Sequence, residues 1–216
     1  MTKTEILSRL ADPGLVAIVR ADSSEQFSEV VGALAEGGIY AVELTLTTPN
    51  ALEAISAAAR KFAGHPSVVI GVGSVTTVDE ARKAVAAGAE FVVTPVMRPE
   101  IIAVCRELGK PIACGAFTPT EMLAAHDAGA DFVKAFPADA MGPAYIKAVR
   151  APLPQLRIIP TGGVNLSNVK AFLDAGCVGL GLGGNLVSKE ILKSGDWAKL
   201  AATAREYVAA VRAARA

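Results

Sequence analysis

A lysine stands in the middle of Asp131-Phe132-Val133-Lys134-Ala135-Phe136-Pro137, among aromatic, β-branched and small residues that read as a short buried strand closed by a proline. Lysine is almost never fully buried unless it is paired or working. Taking an ammonium out of water favours the neutral amine, so burial lowers the pKa of Lys134. A neutral amine in an apolar pocket is the nucleophile that forms Schiff bases with carbonyl substrates. The bland alternative is a lysine whose head snorkels to solvent or pairs with an acid.

A second polar residue bears on that choice. In Ala41-Val42-Glu43-Leu44-Thr45-Leu46-Thr47 the apolar residues alternate with Glu43, Thr45 and Thr47, so the two sets lie on opposite faces of a strand. With the apolar set turned to covering helices, the glutamate shares an interior with the lysine. A Glu–Lys pair buried only for packing is costly to desolvate and stabilises weakly. Proton transfer at the carbon next to an imine needs a positioned acid/base, and Glu43 supplies one.

The elements that hold these residues alternate along the chain. Strands are expected at Leu15–Val19, Ala41–Leu46, Val68–Val72, Phe91–Thr94, Ile112–Cys114, the lysine segment, Arg157–Pro160 and Val178–Leu182. Helices follow each one, with capping boxes at Ser23-x-x-Gln26, Thr77-x-x-Glu80 and Thr118-x-x-Glu121, and with starts near Pro49, Pro99 and Gly142-Pro143. Glycines at Gly37-Gly38, Gly88, Gly109, Gly129 and Gly176 stop them. Strict alternation forces a parallel sheet, and eight units favour a closed (β/α)8 TIM barrel in one domain, residues 1–216. Thr2–Leu10 reads as an extra N-terminal helix across the barrel floor, and the tail from Asp196 as a final helix.

Composition excludes several classes. The 21 basic and 21 acidic residues balance, leaving no electrostatic footprint for nucleic acid or an anionic membrane. No apolar run reaches the ~18 residues of a membrane span. A polar N-terminus without a secretory core, and three cysteines without C-x-x-C spacing, point to reduced thiols in the cytoplasm. The only histidines, His65 and His126, share no ligand spacing, so no metal site or Ser-His-Asp triad is expected.

Two glycine-rich turns fall after the last two strands: Pro160-Thr161-Gly162-Gly163 and Gly181-Leu182-Gly183-Gly184-Asn185. Loops after strands seven and eight of such a barrel commonly bind phosphate through free backbone amides, and glycine lets the backbone approach the oxygens. A phosphorylated small molecule is the expected ligand.

With these residues in place the chain resembles the class I aldolases that cleave 2-keto-3-deoxy-6-phosphogluconate (KDPG) and 4-hydroxy-2-oxoglutarate (KHG). The resemblance is carried by Leu15–Arg20, Val42–Leu46, Gly71–Val75, Thr94-Pro95, Phe132–Pro137, Gly142–Ala148 and Pro160–Val164. It implies a homotrimer of (β/α)8 barrels that needs no metal or other cofactor, with pyruvate and a phosphorylated 2-keto-3-deoxy sugar acid as ligands. It also implies Lys134 as the Schiff-base residue, Glu43 as acid/base acting through water, Thr161 near the substrate's hydroxyls and carboxylate, and Pro95 and Phe136 lining the pocket. Gly162, Gly163, Gly183 and Gly184, with Asn185 in the same turn, surround the phosphate. Two positions depart from the family. Ser74 stands where threonine is usual, which keeps the hydroxyl. Thr47 replaces an arginine that grips the pyruvate carboxylate, and Arg20, at the end of the neighbouring strand one, is the expected substitute because a guanidinium holds a carboxylate by two parallel bonds.

Two other readings share the glycine turns: a non-catalytic phospho-ligand binder or trimeric structural barrel, and a phosphate-handling epimerase or synthase. Neither needs an imine-forming lysine.

Overall fold

A computed structural model describes residues 1–216. Eight parallel strands carry the fold: β1 (Leu15–Val19), β2 (Ala41–Thr45), β3 (Val69–Gly73), β4 (Phe91–Val93), β5 (Ile112–Ala116), β6 (Phe132–Ala135), β7 (Ile158–Pro160) and β8 (Leu180–Leu182). Their order is β7-β6-β5-β4-β3-β2-β1-β8. The ring closes between β7 and β8 through a parallel bridge from Thr161 to Gly181 and a bond from Val178 N–H to Ile158 O (3.0 Å). This is the (β/α)8 TIM barrel.

Helices alternate with the strands: α2 (Phe27–Glu36), α3 (Ala51–Lys61), α4 (Val78–Ala86), α5 (Pro99–Glu107), α6 (Pro119–Asp127), α7 (Ala138–Arg150) and α8 (Val169–Asp174), with α9 (Lys189–Ser194) and α10 (Trp197–Arg215) closing the chain. Two of the three expected capping boxes form, at Thr77/Glu80 and Thr118/Glu121, and a third at Thr2/Glu5 starts α1 (Lys3–Ala11). The expected box at Ser23/Gln26 does not. Ser23 Oγ accepts the N–H of Glu25 (3.2 Å), making a local turn, and α2 begins only after Gln26, at Phe27, which is buried in the core. Gly142-Pro143 likewise does not open α7: one turn from Ala138 precedes it, and Gly142 (φ 71°, ψ 167°) breaks that turn before Pro143 restarts the helix.

Alternation on the strands sorts side chains into two cores. Val42, Leu44 and Val72 pack outward against the helices. Inward, Val16, Ala41, Val69, Phe91, Val93, Phe132 and Ile159 form a second cluster that α1 seals from below with Ile6 and Leu10. Burying each large side chain of this cluster contributes about 1.5–3 kcal/mol, and it closes the amino-terminal end of the barrel.

Candidate active site

Glu43 sits on β2 in register with Ile18 on β1 and Gly71 on β3, and Lys134 on β6 in register with Gly115 on β5 and Ile159 on β7. Both side chains point inward and are almost sealed, Glu43 at 1% and Lys134 at 7% exposure. Together with Thr161, Gly181 and Ile18 they cap a cavity of about 20 Å³ whose other walls are floor residues, among them Leu10, Phe91, Phe132 and Ile159. That is room for about one water molecule.

The pair is polarised toward neutrality. Burial is the main cause holding Lys134 below the ordinary lysine range; Glu43 opposes it and the Arg20 charge adds to it. Burial likewise pushes Glu43 above the carboxylate range, against the pull of Lys134 and Arg20. Glu43 Oε1 has no hydrogen-bond partner, and no salt bridge joins it to the lysine. Lys134 Nζ lies instead over the Phe136 ring, 4.9 Å from its centroid. Both shifts run toward the neutral forms, the amine that can act as nucleophile and the carboxyl that can give a proton.

The strands make room for these groups by omission. A Cβ on Gly73 would strike Glu43 Oε1, and one on Gly181 would strike Thr161 Oγ1. On β5, Gly115 lets the strand pass against the backbone of Pro95, and Thr94 Oγ1 pins that crossing by accepting Gly115 N–H (3.0 Å) and donating to Val96 O (2.7 Å). Ser74, directly after Gly73, is held at φ 61°, a left-handed conformation unusual for serine and of the kind that clusters at functional sites.

The remaining expected site residues lie at or just past the carboxyl ends of the strands. Thr161 is buried at the end of β7 and Pro95 and Phe136 are half-buried on neighbouring loops. Gly162 (φ 98°) and Gly163 (φ 71°) turn the chain in conformations that demand glycine. None of the N–H groups of Gly162, Gly163, Gly183, Gly184 and Asn185 donates to a backbone carbonyl, so five amides are free around one rim. The Asn185 side chain is partly committed, donating to Val164 O (2.8 Å) and stitching the two glycine turns together. Thr47 is exposed, its hydroxyl 2.9 Å from that of Thr45. Arg20 is exposed at the end of β1. The other strand-end arginines are engaged elsewhere: Arg98 Nε donates to Thr76 O (3.2 Å) and pairs with Glu100, while Arg157 covers Phe132 on the floor.

Burial pushes the thiols of Cys105 and Cys177 up to about 12 and raises that of Cys114, leaving no thiolate nucleophile. No three His, Cys, Asp or Glu side chains converge as metal ligands. No helix is long and apolar enough to cross a membrane.

Comparison with known proteins decides among the phosphate-handling barrels. The profile described as "KDPG and KHG aldolase" matches residues 6–203. The chain belongs to the KDPG and KHG aldolase family. It is a class I aldolase, a lyase that works through a Schiff base. It is 31% identical to the 2-dehydro-3-deoxy-phosphogluconate aldolase of Haemophilus influenzae, over 96% of this chain and 97% of that one. It is 35% identical to the 2-dehydro-3-deoxy-6-phosphogalactonate aldolase of Escherichia coli K12, covering 80% and 83%. Among solved structures it superposes on the KDPG aldolase of Legionella pneumophila with TM-score 0.85 at 28% identity, covering 92% and 96%. That structure captured pyruvate as a covalent carbinolamine. A carbinolamine is what an amine gives on adding to a carbonyl, one dehydration short of the imine.

Proposed function

We propose that this aldolase, working as one barrel domain over residues 1–216 and as a cytoplasmic homotrimer, cleaves 2-keto-3-deoxy-6-phosphogluconate to pyruvate and glyceraldehyde 3-phosphate. The observation that carries the reading is the buried, unbridged Lys134–Glu43 pair inside the barrel. Lys134 adds as a neutral amine to the C2 carbonyl, forming the C–N bond of a carbinolamine. Glu43 delivers the proton with which the hydroxyl leaves as water, giving the iminium. The Glu43 carboxylate, having given up its proton, takes the proton of the C4 hydroxyl, the C3–C4 bond breaks toward the iminium, and the aldehyde departs from an enamine. Glu43 protonates C3, and water hydrolyses the imine to release pyruvate and regenerate the amine.

The rest of the substrate is met by the rim. Arg20 neutralises the carboxylate, Thr161, Thr47 and Ser74 offer hydroxyls to it and to the sugar hydroxyls, and Pro95 and Phe136 wall the pyruvyl end. The five free amides of the glycine turns receive the phosphate. Gly183 and Gly184 support this directly. Neither has a positive φ, and a Cβ on either would meet nothing within 4 Å. The backbone there does not require glycine, and without side chains both residues leave their amides open to a phosphate oxygen. The homotrimer rests on the family resemblance, and the cytoplasmic assignment on the three unpaired cysteines.

The test is turnover of the gluco and galacto epimers and of 4-hydroxy-2-oxoglutarate, followed by pyruvate release. The highest kcat/KM is expected for the phosphorylated gluco acid. A higher value for 4-hydroxy-2-oxoglutarate, which carries no phosphate, contradicts the assignment of the glycine rim.

A further inference from the structure

Thr48 lies in the loop after β2, where its neighbours Thr47, Pro49 and Asn50 are exposed, yet it is itself only 2% exposed. Its N–H donates to Thr45 O (2.9 Å) and closes a tight turn at the strand end. Its Oγ1 accepts the backbone N–H of Ala21 (3.3 Å), in the loop after β1. Ser24 Oγ adds a longer tie between the same two loops, donating to Asn50 O (3.4 Å). A peptide N–H can only donate, so Thr48 Oγ1 accepts there; the same hydroxyl lies 3.4 Å from Thr45 Oγ1, and Thr45 in turn lies 2.9 Å from Thr47 Oγ1. None of these contacts explains itself as core packing, because the loop ends at the mouth of the barrel.

Ala21 is the residue after Arg20. The Arg20 side chain makes no hydrogen bond or ion pair of its own, so it approaches a ligand as a long, unrestrained cation. Gripping a carboxylate then costs side-chain and backbone freedom, and any device that fixes the backbone beforehand lowers that cost. We propose that Thr48 is a positioning residue for carboxylate recognition: by holding the Ala21 N–H it fixes the backbone from which Arg20 reaches over Glu43 and Lys134, into the space beside Thr47. This rests on Arg20 as the carboxylate-binding group. It assigns a role to a buried hydroxyl that touches neither substrate nor the reacting atoms.

The experiment is a mutant cycle of wild type, Arg20→Ala, Thr48→Val and the double variant, read as the concentration of pyruvate that half-saturates borohydride trapping. Methyl pyruvate, which keeps the keto group and lacks the charge, is the companion probe. Thr48→Val keeps the shape and removes the hydroxyl, and the lost hydrogen bond is worth about fivefold in pyruvate concentration. The maximum trapped and the methyl pyruvate curve stay where they are, and Thr48→Ser restores the pyruvate value. In the Arg20→Ala background Thr48→Val has no further effect. Thr48→Cys, a near-isostere with a weak acceptor, takes the same measurements if the valine variant does not fold. An equal loss from Thr48→Val with and without Arg20, or an equal loss for methyl pyruvate, overturns the proposal while leaving Arg20 in place. So does an unchanged Thr48→Val beside a weakened Arg20→Ala. An unchanged Arg20→Ala removes the Arg20 reading, and the proposal falls with it.

Discussion

Replacing Gly73 by alanine separates the position of the Glu43 carboxyl from its presence. A Cβ at Gly73 falls well inside 3.0 Å of Glu43 Oε1, closer than real Cβ atoms come, and 2.9 Å from its Cδ. Glu43 is sealed in the barrel, so the carboxyl cannot swing into solvent and must retreat by about 1 Å to reach ordinary van der Waals contact. A misplacement of that size costs on the order of 100-fold in rate, within the roughly 100- to 10,000-fold range expected for losing the acid/base altogether, as in Glu43→Gln. Stability changes little, because Gly73 is not held at positive φ, the struck atoms end a flexible side chain, and alanine restricts the unfolded chain by about 0.4–1 kcal/mol in its favour. The expected result is a Tm within about 3 °C of wild type, borohydride trapping of pyruvate retained, and kcat for cleavage down about 100-fold. Gly71→Ala is the control, since its Cβ strikes the ring of Phe91 in the apolar floor. Overpacking there costs about 1–3 kcal/mol and lowers Tm, with turnover at moderate temperature kept. Full turnover in Gly73→Ala would refute the reasoning, since the glutamate would then work without being held in place.

Two further outcomes follow from the same geometry. The double variant Glu43→Gln/Lys134→Met gains stability near neutral pH. Lys134 titrates below its ordinary 10.5 in the folded chain and withdraws stability as pH falls from there, while Glu43 titrates above its ordinary 4.5 and withdraws stability as pH rises from there. The two costs act together only between these limits, the lysine cost alone remaining at lower pH and the glutamate cost alone at higher pH, so the gain, about 1–4 kcal/mol in denaturant unfolding, is largest in mid-range and shrinks toward either end; a gain that is flat with pH contradicts the assigned shifts. Gly184→Val leaves Tm and pyruvate trapping unchanged, because its Cβ meets open space, but raises KM for the phosphorylated substrate at least about tenfold by filling the phosphate rim. An unchanged KM there places the phosphate elsewhere.

The barrel was legible because each strand is a short apolar run bounded by local signals, and the helices after β3 and β5 start at capping boxes whose partners are three residues apart. Lys134 and Glu43 stood out for a related reason: a charge inside an apolar run is conspicuous by type alone. The features that failed or escaped depend on neighbours distant in sequence. Ser23 reads as a cap, but its oxygen is taken by Glu25 N–H before the helix begins. Gly73 and Gly115 fall just past the strands expected at Val68–Val72 and Ile112–Cys114, and only the fold shows that one clears space for a carboxylate and the other lets β5 pass against the backbone of Pro95. Thr48 reads as one more loop threonine until the folded chain brings Ala21 to it. The left-handed backbone of Ser74 had no sequence signal, since serine does not favour it.

The most direct measurement is the site of covalent trapping. Wild type treated with pyruvate and borohydride is digested and mapped by mass spectrometry, beside Lys134→Arg, whose guanidinium cannot act as an amine nucleophile. The account predicts one reduced pyruvyl adduct, on the peptide carrying Lys134, and none in the variant. An adduct at Lys110 or Lys147, or one that survives Lys134→Arg, contradicts it.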